Sequence, residues 1–137
     1  MKEKELKVFK DKRGRLFELL RNDDELFNGD FGQILVSESN PEVIRAWHMH
    51  EKQTDFVCCI KGKIKFCTKE ENGKIKEFLL EEKKPRLIKI PPKIWHGYKV
   101  LGKKTALVIY IMDKTYNPDK PDEKRKPADA FGKEIWE

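Results

Sequence analysis

The chain contains 137 residues, a length that allows one domain with a sizeable core but not two. Its formal net charge is +6, with 30 Lys and Arg against 24 Asp and Glu. This charge suits an anionic ligand, but the basic residues are interleaved with acidic ones, which argues against a protein that binds nucleic acid.

The first residues lack the apolar run of a signal peptide, and no segment is long and apolar enough to span a membrane. The three cysteines are an odd number without a C-x-x-C pair, which favours reduced core residues over disulfides. We therefore expect residues 1–137 to form a single cytoplasmic domain that does not bind membranes.

Short apolar or alternating segments recur along the chain between turn residues. Asn28-Gly29 and Asn72-Gly73 are turn dipeptides, and Lys61-Gly62-Lys63 separates two apolar runs as a tight hairpin would. The predicted strands are 6–9, 16–20, 31–38, 43–48, 55–61, 63–67, 75–80, 86–90, 97–101 and 106–112. Short helices are predicted only at 23–27 and near 128–131. About ten short strands without long helices between them indicate an all-β antiparallel sandwich or barrel.

The composition changes after Tyr116, where an irregular and charged stretch begins. This stretch ends in apolar residues that could anchor it to the body of the protein, namely Phe131, Ile135 and Trp136.

All three histidines lie in two short segments of the predicted barrel. His48 and His50 belong to Arg-Ala-Trp-His-Met-His at residues 45–50, and His96 closes the segment that begins at Pro91. Because residues two apart on a strand point to the same face, His48 and His50 should share one side of the sheet. Imidazole exchanges protons near neutral pH and is a common metal ligand. The pattern therefore predicts a cavity for proton transfer or for metal binding.

The spacing of these residues resembles the two motifs of the cupin superfamily. Residues 48–62 match the first motif, with Asp55 where Glu is usual. Residues 91–96 match part of the second motif, with Lys93 where Gly is usual. The resemblance implies a cupin fold, a double-stranded β-helix or jelly-roll barrel whose ligands converge inside it.

Nearly the whole chain also resembles a narrower group, the dTDP-4-dehydrorhamnose 3,5-epimerase (RmlC-like) family of nucleotide-sugar cupins. Arg45-Ala46-Trp47-His48 stands where the family favours R-G-L-H, and Tyr110 lies six residues before Tyr116-Asn117-Pro118. The other shared positions are Asp11, Arg13, Gly14, Glu18, Gln33, Ser37, Ser39, Gln53, residues 90–92, residues 96–98, residues 100–101 and Ile135-Trp136.

This resemblance implies an isomerase that acts on a nucleotide-linked 4-keto-6-deoxy sugar, with dTDP as the expected nucleotide. His48 would be the general base that removes a proton beside the ketone, and Tyr110 would return a proton to the opposite face. The family also implies a homodimer with exchanged edge strands, and neither a cofactor nor a metal. The residues expected to bind the substrate are Arg13, Glu18, Gln33, Arg45, His50 and His96.

The chain departs from the family at three places. Asp55 aligns with a lysine that the family places near the active site, and Lys52 or Lys61 would have to replace it. The family pairs its base with an aspartate near the C-terminus, for which Asp129 is the candidate. His48-Met49-His50 stands where the family has H-Y-Q and resembles the related dTDP-4-keto-6-deoxyhexose 3,4-ketoisomerases.

Three other interpretations stay open at this point. A metal-dependent cupin would use His48, His50, Asp55 and His96 as ligands for Fe, Mn, Ni or Zn. A non-catalytic cupin would only bind a sugar nucleotide or another small ligand. The histidines could also be hydrogen-bonded barrel residues without a chemical role. Asp55 separates these interpretations best, because a lone buried carboxylate is costly unless it is paired or bound to a metal.

Overall fold

The computed structural model describes residues 2–137, which form twelve short β-strands and one 3₁₀ helix. The strands are β1 (Glu3–Glu5), β2 (Phe9–Asp11), β3 (Gly14–Leu16), β4 (Gln33–Ser39), β5 (Ile44–Met49), β6 (Asp55–Lys61), β7 (Lys63–Lys69), β8 (Ile75–Glu81), β9 (Arg86–Ile90), β10 (Trp95–Leu101), β11 (Ala106–Met112) and β12 (Lys124–Arg125). The 3₁₀ helix is Lys133–Trp136. In the described part of the chain, no helix is long and apolar enough to cross a membrane.

Two antiparallel sheets of five strands enclose the core. The first sheet has the order β1-β9-β6-β11-β4, and the second has the order β12-β5-β10-β7-β8. Apolar side chains from both inner faces pack together, among them Val57, Ile64, Phe66, Val100 and Val108. This arrangement confirms the predicted all-β antiparallel sandwich or barrel.

The middle of the first sheet is buried on both faces, as a continuous apolar run predicts. On β6, Val57 and Cys59 face the central core, while Phe56 and Cys58 belong to a second cluster on the outer face. Leu6 and residues of the 17–27 segment cover that outer face. The three cysteines are buried and free, in agreement with their predicted role as core residues.

The hairpin between β6 and β7 turns at a position that requires glycine. Gly62 has a φ of +75°, and a Cβ atom there would lie 2.8 Å from the Thr105 carbonyl oxygen. The predicted tight turn at Lys61-Gly62-Lys63 is therefore confirmed, and its reason is both the left-handed backbone and the close approach of the next loop.

The predicted strands from residue 31 onward agree with the structure to within a few residues, whereas those before it are wrong. Residues 6–8 connect β1 to β2, and residues 17–20 follow β3 without joining a sheet. Leu6, Phe17, Leu19 and Leu20 instead pack on the outer face of the first sheet. An apolar pattern shows that such residues are buried but not whether their backbone joins a ladder.

The two predicted helices are also wrong. Residues 23–27 and 128–131 form turns, and the one helix of the described chain is the 3₁₀ turn at Lys133–Trp136. Segments this short cannot stabilise an α-helix by themselves, so tertiary packing decides their shape.

The C-terminal segment runs along β5 and is fixed there by aromatic packing. Lys124 and Arg125 of β12 pair with Met49 and His48. Trp136 packs against Trp47, and both indole N–H groups donate to the Ala128 carbonyl oxygen at 2.9 and 3.1 Å. The segment after Tyr116 is thereby anchored through its terminal apolar residues, and it passes next to His48 and His50.

Candidate active site

Most of the residues that the sequence analysis singled out line one cavity of about 190 Å³. Its walls come from β4, β5, β6, β10 and β11, and from the segment just before β12. The lining residues are Leu35, Ser37, Arg45, His48, His50, Asp55, His96, Tyr110, Met112 and Glu123. A larger surface hollow of about 460 Å³ lies at the hairpin ends around Gly62 and Gly102, but lysines, acids and backbone line it, without an imidazole.

The strands that carry His48 and His96 approach each other closely at Gly97. His48 on β5 is opposite His96 on β10, and the register shifts between His96 and Tyr98. A Cβ atom on Gly97 would lie 2.4 Å from the Ala46 Cβ, so only glycine allows this approach. The imidazoles of His48 and His50 lie 6.3 and 5.7 Å from that of His96, measured between ring centres.

His48 faces a carboxylate that the sequence did not indicate. Glu123 Oε1 lies 3.1 Å from His48 Nδ1 without forming a hydrogen bond, and Nδ1 has no other partner among the described residues. Since a carboxylate only accepts hydrogen bonds, this placement favours a proton on Nδ1 and leaves Nε2 as the basic nitrogen. Burial lowers the pKa of His48, and the charge of Glu123 opposes this effect only in part. His48 is therefore neutral at pH 7 and able to accept a proton.

His50, Asp55 and His96 form a second, more deeply buried cluster. Asp55 Oδ2 lies 3.5 Å from His50 Nε2 and 3.7 Å from His96 Nε2, and Asp55 Oδ1 accepts a hydrogen bond of 2.7 Å from Gln53. The Nδ1 atoms are used elsewhere: that of His50 donates to the Asp122 carbonyl oxygen at 2.6 Å, and that of His96 to the Ile94 carbonyl oxygen at 3.2 Å. Both imidazoles thus direct Nε2 toward the same carboxylate.

The cluster holds one ion pair and one neutral imidazole. Burial alone would lower the pKa of His50, but the Asp55 carboxylate and the Asp122 carbonyl raise it to about 9. Burial opposes the charge on Asp55, yet its contacts with His50 and His96 keep the pKa of that carboxyl below its ordinary value. Burial lowers the pKa of His96 to about 4, despite the attraction of Asp55. At neutral pH, His50 is cationic, Asp55 is anionic and His96 is neutral.

The same three side chains could hold a metal ion. One ligand atom from each of His50, Asp55 and His96 lies within 4.8 Å of the others, and two imidazoles with a carboxylate suit a transition metal. A metal would displace the proton from His50 Nε2. His48 is not part of this group, so the predicted set of four ligands reduces to three.

Tyr110 lies on the inner face of β11 and lines the cavity that His48 also lines. Its neighbours in register are Leu35 on β4 and Val57 on β6. Burial, together with the nearby Tyr98 and Asp55, holds the pKa of the Tyr110 hydroxyl well above its ordinary value. The phenol is therefore protonated at neutral pH and able to donate.

Three of the predicted substrate-binding residues do not reach this cavity in their own chain. The Arg13 side chain is 86% exposed in the β2–β3 turn and pairs with Asp11 at 2.6 Å. Glu18 is exposed and pairs with Arg21 at 3.1 Å. Gln33 begins β4, accepts a hydrogen bond of 2.7 Å from the Tyr116 N–H, and lines a second hollow beside the cavity. The predicted Arg45, His50 and His96 do line the cavity.

The proposed replacements for missing family residues also lie elsewhere. Neither Lys52 nor Lys61 lines the cavity, so the cationic group nearest to Asp55 is His50. Asp129 is exposed, and the carboxylate beside His48 belongs to Glu123. Asp129 is wrong as the counterpart because the chain returns to β5 through β12, which places residue 123 and not residue 129 next to the base.

Sequence reasoning missed Asp122 and Glu123 because nothing distinguishes them from other acids in a charged tail. Asp122 accepts backbone hydrogen bonds from Glu51, Lys52 and Gln53 at 2.8 to 3.0 Å, which ties the tail to the loop after His50. Lys93, by contrast, can be recognised in the sequence as a departure from the second cupin motif. It has a φ of +68° where the motif favours glycine, and its N–H donates to the His50 carbonyl oxygen at 2.6 Å.

A second hollow of about 280 Å³ adjoins the cavity and shares Leu35, His50, Met112 and Glu123 with it. Three basic side chains line it, those of Lys114, Lys120 and Arg125, together with the acids Asp122 and Glu123. Arg125 pairs with Glu123 at 3.0 Å. The hollow beside the inner cavity therefore carries more basic than acidic side chains.

Comparison with known proteins assigns this chain to a family. The family model "Polysaccharide biosynthesis C-terminal domain" matches residues 9–124. The chain is 39% identical over 135 residues to the spore coat polysaccharide biosynthesis protein SpsL of Bacillus subtilis (strain 168), covering 94% of this chain and 89% of SpsL. It is 35% identical over 133 residues to Agl13 of Haloferax volcanii, named "Probable low-salt glycan biosynthesis epimerase", covering 92% of this chain and 85% of Agl13.

Solved structures confirm the predicted resemblance to nucleotide-sugar cupins. A dTDP sugar isomerase from Desulfovibrio desulfuricans G20 superimposes with a TM-score of 0.86 at 28% identity, covering 94% of this chain and 85% of that protein. A dTDP-4-dehydrorhamnose 3,5-epimerase is also similar in structure. The chain belongs to the polysaccharide biosynthesis C-terminal domain family and has the RmlC-like cupin fold of nucleotide-sugar epimerases.

Proposed function

We propose that this protein is an isomerase that epimerises a nucleotide-linked 4-keto-6-deoxy sugar, with dTDP as the nucleotide. The observation that carries the proposal is the presence, in one cavity, of an imidazole that is neutral at pH 7 and a phenol that is protonated there. These groups are His48 and Tyr110. The name of Agl13, "Probable low-salt glycan biosynthesis epimerase", and that of the Desulfovibrio dTDP sugar isomerase support the same class of reaction.

The reaction begins with proton abstraction at the carbon beside the ketone. His48 Nε2 takes this proton, and the electron pair of the C–H bond moves to form an enolate whose negative charge lies on the ketone oxygen. Tyr110 then donates its hydroxyl proton to the same carbon from the other face, which inverts the centre. The imidazolium and the tyrosinate return to their starting forms by proton exchange with solvent.

The enolate needs a cation or hydrogen-bond donors nearby. Asp55 occupies the position of the family's lysine, but its ion pair with His50 places a cationic imidazole in the same cavity. The Arg45 guanidinium also lines the cavity and adds a second positive charge. These two groups replace the missing lysine in our proposal.

The outer hollow supports a place for the nucleotide. Lys114 and Lys120 line it beside the reactive cavity and have no acidic partner among the described residues, and such cations suit the two phosphates of a nucleoside diphosphate. A sugar attached to the second phosphate would then extend inward toward His48.

We also propose that residues 1–137 act as a single cupin domain in a cytoplasmic homodimer. Strand β4 is an edge strand, and its side chains Ile34 and Val36 are 56% and 59% exposed. Exposed apolar side chains on an unpaired edge favour association with a second copy. A role for Arg13 and Glu18 in substrate binding then requires them to reach the partner's cavity.

Isotope exchange tests the proposed reaction directly. Incubation with dTDP-4-keto-6-deoxyglucose in heavy water should place deuterium on carbon beside the ketone, detected by NMR and mass spectrometry. His48→Gln should reduce the exchange rate by about 10²–10⁴-fold, as expected for loss of a general base, while dTDP affinity is retained. As a matched control, Asp129→Asn should leave the rate unchanged, since Asp129 lies outside the cavity. Failure of wild-type protein to exchange any keto-sugar nucleotide would favour a binding protein instead.

A 3,4-ketoisomerase is the second candidate, because His48 and His50 both line the cavity. Two imidazoles on one wall could pass a proton between neighbouring carbons and so move the carbonyl. The position of the carbonyl in the product of the same incubation distinguishes the two reactions.

A further inference from the structure

A continuous chain of hydrogen bonds runs from one residue of the cavity wall through buried hydroxyls and back to the cavity wall. Arg45 Nε donates to Ser39 Oγ at 2.6 Å, Ser39 Oγ lies 3.0 Å from the Tyr98 hydroxyl, and that hydroxyl lies 2.8 Å from Ser37 Oγ. Arg45 and Ser37, at the two ends, line the cavity, whereas Ser39 and Tyr98 do not. We call these four residues the hydroxyl relay.

The direction of the relay follows from its chemistry. A guanidinium cannot accept a hydrogen bond, so Ser39 accepts from Arg45. Ser39 is 2% exposed and Tyr98 is 1% exposed, and within the described chain their hydroxyls contact only the members of the relay. A buried hydroxyl hydrogen without an acceptor is costly, so Ser39 donates to Tyr98 and Tyr98 donates to Ser37.

This order leaves the Ser37 hydrogen without an acceptor among the described residues, at a half-buried position on the cavity wall. We propose that Ser37 is a substrate-binding residue that donates a hydrogen bond to an oxygen of the sugar, and that Ser39 and Tyr98 are positioning residues that hold it in the donating orientation. The proposal rests on the proposed function, because the acceptor is an oxygen of a sugar bound between His48 and Tyr110.

The surroundings of Tyr98 argue against a role in packing alone. Its ring lies in the central apolar cluster with Val57, Ile64 and Val100, where a phenylalanine would pack equally well. The hydroxyl instead meets two serines that the opposite sheet contributes from β4. A chain of aligned hydrogen bonds also polarises its last member, which strengthens Ser37 as a donor.

The test compares Ser37→Ala, Tyr98→Phe and the double variant. Titration calorimetry would measure affinity for dTDP-4-keto-6-deoxyglucose and for dTDP alone, and deuterium exchange would give KM and kcat. Loss of one hydrogen bond to the sugar in Ser37→Ala should weaken binding of the keto-sugar nucleotide about tenfold and leave dTDP binding unchanged. Tyr98→Phe should cause part of that loss of affinity. The double variant should bind the keto-sugar nucleotide no more weakly than Ser37→Ala does. Ser37→Thr, which keeps the hydroxyl, should restore most of the affinity.

Thr105→Val is the matched control, since it removes a hydroxyl outside the cavity and should change neither affinity. Additive losses in the double variant, or equal weakening of dTDP binding by Ser37→Ala, would overturn the relay. Wild-type protein that binds the keto-sugar nucleotide through Ser37 but exchanges no deuterium would support the relay and refute the proposed isomerisation. Wild-type protein that does not bind the keto-sugar nucleotide would refute both.

Discussion

Asp55 explains how a cavity of this family can tolerate an acid where a lysine is expected. Its side chain is 2% exposed, and a carboxylate buried to this extent must be paired. His50, His96 and Gln53 supply that pairing, and the positive charge moves to His50. The residue is therefore both a structural ion-pair partner and the reason that His50 is cationic.

The same cluster predicts how stability depends on pH. The pKa of His50 rises from 6.5 to about 9 on folding, so its stabilising contribution is complete below pH 6.5 and is lost as the pH rises through about 9. The pKa of His96 falls from 6.5 to about 4, so its contribution is complete above pH 6.5 and is lost as the pH falls toward about 4. Thermal unfolding followed by circular dichroism should therefore show the highest Tm near pH 6.5.

Two variants test the alkaline and the acidic side of this dependence of Tm on pH separately. Asp55→Asn removes the partner of His50 and should flatten the decrease in Tm between pH 6.5 and 9. His96→Gln should flatten the decrease on the acid side. If Tm decreased equally steeply above pH 6.5 in wild-type protein and in Asp55→Asn, the assigned ion pair would be wrong.

The close contact between β5 and β10 depends on one small side chain. In Gly97→Ala the new methyl group would lie 2.4 Å from the Ala46 Cβ and 2.9 Å from the Arg45 carbonyl oxygen, so the strands must separate. We expect the free energy of unfolding to decrease by about 1–3 kcal/mol, as for other overpacked positions, and activity to fall because His48 and His96 move apart. Chemical denaturation and the exchange assay measure the two effects.

Gly73→Ala is the matched control for this prediction. Gly73 lies in the turn before β8, where an added Cβ would meet mainly the Glu70 side chain at 3.2 Å. That variant should lose little stability and no activity. If Gly97→Ala were as stable and active as Gly73→Ala, the proposed requirement for close strand contact would be wrong.

Homodimer formation is a property of the whole molecule and has a direct test. Multi-angle light scattering should give twice the chain mass of 16.3 kDa. Replacing the exposed β4 side chains in Ile34→Lys/Val36→Lys should give a folded monomer, since charge on an edge strand opposes pairing. Leu79→Lys changes an apolar side chain that is 51% exposed on β8, at the other sheet's edge, and should leave the dimer intact. Wild-type protein with the mass of a single chain would exclude the homodimer.

The sequence alone was sufficient for the fold and for much of the cavity. Strand periodicity from residue 31 onward, turn glycines such as Gly62, and the spacing of His48, His50 and His96 are local patterns, and local backbone geometry determines where such side chains point. The resemblance to known cupins added Arg45 and Tyr110, which the structure places in the same cavity.

The tertiary structure alone decided which carboxylate faces His48 and which way the hydroxyl relay runs. Glu123 is separated from His48 by 75 positions in the chain and meets it because β12 pairs with β5 and Trp136 packs against Trp47. Ser39 and Tyr98 likewise come from opposite sheets. Contacts of this kind depend on long-range packing, which leaves no periodic signal in the sequence, whereas strands and turns depend on neighbours in the chain.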